Sequence, residues 1–176
     1  DPDRFEPITD VHAGSNLVNG YRGQRGTDGE VTPGLLFVGD AVCTTNPAAG
    51  RGVTLGMQQA RSLVALIDAD DDLRSVASAF DAWSGENIRP WYDDHVYWDA
   101  TELRLFAGED LDLQARIPSD VVCACGQVDP TIMAAAGPYL GMLATPTILD
   151  TVQDKARAVL DTGWWPSYAP GTTRDD

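Results

Sequence analysis

The strongest constraint on this chain is the run Leu35-Leu36-Phe37-Val38, apolar throughout and set between Pro33-Gly34 and Gly39-Asp40. A short unbroken apolar run bounded by turn formers predicts a strand buried on both faces, since a half-exposed strand would alternate. Such a strand needs neighbours. The sequence offers one other candidate, Leu17 to Arg22, in a polar stretch punctuated by Gly20, Gly23, Gly26 and Gly29. Two strands do not make a sheet core of ordinary size. The expectation is an α+β fragment, mostly helical after residue 50, whose sheet is completed by an amino-terminal part. An opening residue of Asp1 rather than Met agrees with that expectation.

The helical half is legible from periodicity. Val53, Met57, Ala60, Leu63, Val64 and Ile67 recur at helical spacing and predict a helix from Gly52 to Asp68. The acidic stretch Asp68 to Asp72 stops it. Leu73, Val76, Ala77, Phe80 and Trp83 predict the next helix. Pro90 ends or kinks that pattern, which resumes from Trp91 to Ala107. Asp129-Pro130 and Thr145-Pro146 each read as a cap followed by proline in a first turn. Gly163 reads as a helix stop, and the tail from Trp164 as irregular.

Composition removes several function classes. The net charge of −15 disfavours phosphate backbones, so nucleic acid is not an expected partner. No apolar run approaches the roughly 18 residues of a membrane span, and no signal peptide opens the chain. The odd cysteine, Cys43, beside the Cys123/Cys125 pair argues against a disulfide framework and for a cytoplasmic setting. The CxC pair lacks the histidines or second cysteine pair of a metal site, and reads as two small buried hydrophobes on a helix. There is no GxxxxGK[ST] phosphate loop, and no nucleophile accompanies His12 or His95. Trp91, Tyr92, Tyr97 and Trp98 around Asp93, Asp94 and His95 read as a helix with aromatics packed inward and acids toward water.

The chemistry concentrates in Gly34 to Ile67: a buried strand, an acid at its tip, a small-residue loop, then a helix start. Ligands of open α/β sheets sit at such strand ends. Gly39 allows close backbone approach, and Asp40 offers a carboxylate that can accept from two hydroxyls. Pro47 stiffens the loop. Gly50 and Gly52 leave backbone N–H groups bare at a helix start, where the dipole favours negative charge. The pattern suits a polyol attached to a group that becomes anionic.

The segment GDAVCTTNPAAGRGVTLGMQQARSL also resembles the second FAD motif of the p-hydroxybenzoate hydroxylase-like flavoproteins, a group that includes aromatic hydroxylases, epoxidases and geranylgeranyl reductases. The resemblance implies the carboxy-terminal portion of an FAD/NAD(P)-binding α/β fold with a helical C-terminal region. Residues 1–32 would end a substrate-binding sheet, 33–69 would be the last strand, loop and helix of the FAD domain, and 70–176 the helical region. It implies that Asp40 binds the ribityl chain and that Pro47 packs at the edge of the isoalloxazine. Gly50, Arg51, Gly52 and Val53 would turn backbone N–H groups to the pyrimidine end, and Gly39 would admit the cofactor. FAD would be the cofactor, NAD(P)H the electron donor, and a small organic molecule the substrate of the monooxygenase or reductase.

Two departures qualify what is carried over. The βαβ unit with GxGxxG that grips the FAD pyrophosphate is absent, and Gly50 to Gly56 has the wrong spacing for it. FAD binding is therefore expected to need the N-terminal part of the same protein, leaving this part inactive alone. Cys43 stands where many aromatic hydroxylases carry histidine, and reads first as a packing residue. The competing reading is a non-enzymatic helical binding or structural module in which the glycine loop is only a tight turn.

Overall fold

The computed structural model describes residues 18–32 and 34–166. Leu17, Pro33, His12 and the tail from residue 167 lie outside the described residues. Two short strands, β1 (Gly20–Tyr21) and β2 (Cys43–Thr44), pair antiparallel, Gly20 opposite Thr44 and Tyr21 opposite Cys43. The Arg22 N–H donates to the Val42 carbonyl at 2.8 Å and carries the pairing one step further. Six helices follow: α1 (Gly52–Ala69), α2 (Leu73–Asn87), α3 (Arg89–Phe106), α4 (Ser119–Cys125), α5 (Met133–Leu140) and α6 (Gln153–Leu160). The described part is thus mostly helical, as expected. No described helix is long and apolar enough to cross a membrane.

Local chemistry sets most boundaries. α1 contains no proline and is rich in Leu, Met, Ala, Gln and Arg, all good helix formers. It ends where Asp70 turns extended. The Asp72 carboxylate then caps α2, accepting from the N–H groups of Arg74 and Ser75 at 3.2 and 3.3 Å. The break near Pro90 falls at Ile88, and Pro90 occupies the first turn of α3, where its missing N–H costs nothing. Asp129 caps as expected, accepting from the Thr131 N–H, but the turn it opens is a 3-10 helix, Pro130–Ile132, before α5. Thr145 makes no side-chain cap, and Pro146–Val152 is again 3-10 before α6. Gly163 takes a left-handed φ of 83° three residues beyond α6.

The core lies among α3 to α6. Ile88, Trp91, Ile117, Val121, Val122, Cys125, Ile132, Tyr139 and Leu149 are buried together, with Trp91 and Tyr139 stacked at 5.5 Å between centroids. Val42 and Cys43 of the loop region and Leu55 of α1 join the same cluster. Cys123 and Cys125 sit on α4 as small packing residues, and all three cysteines are free.

Three expectations need correction. First, Leu35–Val38 joins no ladder, and Leu35, Phe37 and Val38 are exposed. The described residues supply no neighbouring strand, so the apolar run has nothing to bury against. Second, the α1 stripe predicted as its buried face points outward: Val53 is 78% and Met57 69% exposed, while Leu55 and Gln59 are the buried residues. Periodicity identified an apolar face but not what covers it. Third, the acids of α3 do not all face water. Asp93 is exposed, but Asp94 and His95 are buried.

Candidate functional site

The loop between β2 and α1 and the turn before β2 form a cleft of ≈ 450 Å³, lined by Asp40, Thr45, Pro47, Gly50, Gly52 and Val53. These elements converge for local reasons. Gly39–Ala41 is a 3-10 turn that Gly39 enters with a left-handed φ of 61°. That φ strongly favours glycine. The Gly39 N–H donates at 2.9 Å to Gln59 Oε1, a fully buried side chain of α1, so the turn is pinned to the helix. Arg22 Nη1 donates to the Asp40 carbonyl at 3.1 Å and braces the same turn.

The loop beyond it is a second 3-10 turn, Pro47–Ala49, closed by Gly50 with a φ of 65°. The Gly50 N–H donates to the Pro47 carbonyl at 2.8 Å. Gly50 therefore does not present a bare N–H, in contrast to the expectation from sequence. Its contribution is space: a Cβ there would meet nothing within 4 Å. Arg51 then makes the N-cap of α1 without a side-chain cap. The first-turn amides at Gly52 and Val53 remain the donors at this end.

Asp40 and Gly52 face each other across the cleft. A Cβ built on Gly52 would stand 3.9 Å from Asp40 Oδ1. The carboxylate thus sits at the amino end of α1, where the helix field favours negative charge. Asp40 is the one ionisable residue among those lining the cleft.

Of the sequence-predicted residues, Asp40, Pro47, Gly50, Gly52 and Val53 come together around one opening, while Gly39 precedes Asp40 in the turn and does not line it. Arg51 departs from them. Its side chain turns inward and is 8% exposed, with its guanidinium 4.8 Å from the Trp91 ring centroid and 4.5 Å from that of Tyr139. It lies 3.5 Å from Asp94 Oδ2, an ion-pair contact without hydrogen-bond alignment. Asp94 is well partnered: Ser119 Oγ donates at 3.0 Å, the Tyr139 hydroxyl at 2.8 Å and Arg116 Nη1 at 3.4 Å. Burial, then the Asp94 charge, push the Tyr139 pKa up, so it stays a donor.

Thr45 lines the cleft without having been singled out. Asn46, beside it, is held by two outside groups. Asn19 Oδ1 accepts from the Asn46 N–H at 2.6 Å, and Asn46 Nδ2 donates to Asp99 at 3.1 Å. Asn19 Nδ2 donates to the other Asp99 oxygen at 2.7 Å. No sequence spacing announces a clamp among residues so far apart.

Cys43 is buried, and its pKa is raised to about 11 by burial and then by Asp40 and Asp93. It is a thiol at neutral pH and packs, as its sequence context suggested. Burial likewise raises Cys123 to about 12 and Cys125 to about 11. Among the described residues no cluster of histidine, cysteine and acids could hold a metal ion. A larger hollow of ≈ 690 Å³ lies at the end of α3, where Leu105, Phe106, Leu111 and Trp165 are joined by the acids Glu102, Glu109, Asp110 and Asp120. Four carboxylates suit an anionic ligand poorly, and we favour the smaller cleft because there a single carboxylate, Asp40, meets the amino end of the 18-residue helix α1.

No family model, curated protein or solved structure matches the chain.

Proposed function

We propose that this chain supplies the ribityl- and ring-facing side of an FAD site in an oxidoreductase of the monooxygenase or reductase type. The observation that carries the reading is the placement of the Asp40 carboxylate opposite Gly52 on one open cleft, 3.9 Å from where a Cβ would lie. The residues fit such a group. The space above Gly50 is free of other atoms within 4 Å, Gly52 lacks a side chain where a planar ring would approach, and the α1 start is uncapped.

In this reading Asp40 accepts hydrogen bonds from sugar-alcohol hydroxyls. The Gly52 and Val53 N–H groups donate to a carbonyl end that gains negative charge, and the dipole of α1 adds to that stabilisation. Pro47 forms a stiff wall at the cleft edge. The cofactor would supply electron transfer from NAD(P)H to oxygen or to a small organic substrate, while the protein supplies position and electrostatics. No lining residue is placed as a proton donor or base apart from Asp40. Substrate-facing groups belong to the N-terminal part of the same protein. The rival reading, a helical module without chemistry, draws on the closed core of α3 to α6. It gives the unfilled space over Gly50 no task.

The test is expression of the reading frame extended upstream of Asp1. The expected result is a yellow protein whose flavin is lost on Gly52→Val and weakened on Asp40→Ala, with both variants folded by circular dichroism. A colourless extended protein, or full flavin retention in Gly52→Val, would overturn the proposal.

A further inference from the structure

The apolar hollow at the end of α3 has a pre-formed wall. α3 closes in a Schellman turn: Gly108, with a left-handed φ of 85°, donates its N–H to the Leu105 carbonyl, and Glu109 donates to that of Arg104, both at 3.0 Å. The Arg104 and Glu109 side chains pair at 2.7 Å and tie the same turn. The helix therefore stops, and Asp110 and Leu111 come back to share the hollow with Leu105 and Phe106. Asp120 from the first turn of α4 and Trp165 from beyond α6 complete it. Its volume of ≈ 690 Å³ lies in the range that takes a small organic molecule.

Two kinds of chemistry meet there. Phe106 is 83% and Trp165 44% exposed, so two large rings stand at water. Beside them the lining holds four carboxylates and no basic side chain. Glu109 has Arg104 as its counter-charge, whereas the carboxylates of Glu102 and Asp110 have no hydrogen bond or ion pair among the described residues. An ammonium group is attracted both by such carboxylates and by the faces of the rings. The acids do not gather at a point: among the described residues no three could hold a metal ion together. A charge spread along an apolar stem answers that layout, and a compact ion does not. A second copy of this chain would bring two bodies of net charge −15 together. The geometry points to a binding site for a linear aliphatic polyamine, with protonated nitrogens at Glu102 and Asp110 and methylene segments against Leu105, Phe106, Leu111 and Trp165. The hollow shares no residue with the cleft at Asp40, so the site stands whether or not a flavin binds there.

The experiment is calorimetric titration of this chain with spermidine in about 0.15 M salt, where loose attraction to surface charge is largely screened. The expected result is saturable binding of one molecule per chain. Glu102→Gln combined with Asp110→Asn should weaken it by about 10-fold or more, and so should Trp165→Ala. None of these side chains is fully buried, so the variants should keep the fold by circular dichroism. Asp68→Asn combined with Asp71→Asn removes the same charge at the far end of α1 and should leave the affinity unchanged. Spermidine should also move the Trp165 indole signal in the proton NMR spectrum. The inference is overturned by absence of saturable binding, or by equal weakening in the two charge pairs, which would mean general attraction to an acidic surface. It is also overturned by full affinity in Trp165→Ala, by magnesium alone occupying the same carboxylates, or by self-association of the chain that Trp165→Ala abolishes.

Discussion

Arg51 and Asp94 meet at 3.5 Å, with the arginine head beside the stacked rings of Trp91 and Tyr139. Both side chains are almost wholly buried. A charge so placed is tolerable only while its partner remains. Asp94→Ala is therefore expected to cost about 3–5 kcal/mol in urea unfolding, because it strands Arg51 and leaves the Ser119 and Tyr139 hydroxyls without their acceptor. Asp94→Asn keeps an acceptor for those hydroxyls and should cost less. Equal losses in the two variants would show that the charge has no part in the effect.

Two glycines should respond in opposite directions. Gly50 has a φ of 65°, so Gly50→Ala is expected to destabilise by about 1–2 kcal/mol, although the space is open. Gly85 lies inside α2, with nothing within 4 Å of an added Cβ. Gly85→Ala should stabilise by about 0.5–1 kcal/mol. Thermal unfolding of the pair checks both signs.

His95 is buried against Trp98, and both of its ring nitrogens lack partners. Burial, followed by the Arg51 charge, pulls its pKa below the ordinary 6.5. The unfolded chain then binds a proton more readily than the folded one. The stability due to the neutral ring is present above pH about 6.5 and is lost as the pH falls toward the depressed value. His95→Phe keeps the stacking and removes the proton. The stability of wild type relative to this variant should fall between about pH 7 and pH 5. A constant difference across that range would contradict the assignment.

The three thiols provide a fourth check. With Cys43 and Cys125 raised to about 11 and Cys123 to about 12, little thiolate exists at pH 8. A thiol-reactive chromophore should label the native protein slowly and all three cysteines promptly in denaturant. Fast native labelling at Cys43 would indicate that the β2 region opens.

The sequence was most readable where local rules act alone. The bounds of α1, the acidic break between α1 and α2 and the turn at Asp129-Pro130 follow from periodicity and capping, which need no distant partner. Gly39 and Gly50 were legible for the same reason: both take a left-handed φ that favours glycine. What failed was direction. Val53 and Met57 mark an apolar stripe, but only tertiary context says whether it is covered. Asp94 looks like a surface acid from its neighbours Asp93 and His95, because its four partners come from Arg51, Arg116, Ser119 and Tyr139. Arg51 reads as one more loop residue until the aromatic rings that receive it are known.

The clamp at Asn46 and the inward turn of Arg51 share one consequence. Asp99 and Asp94 both belong to α3, one holding the stretch before Pro47 and the other the residue after Gly50. The intervening turn is strung like a bridge between two piers on a single beam. A tilt of that beam would carry the whole span with it, so the shape of the opening answers to the helical half as a unit rather than to its own few residues.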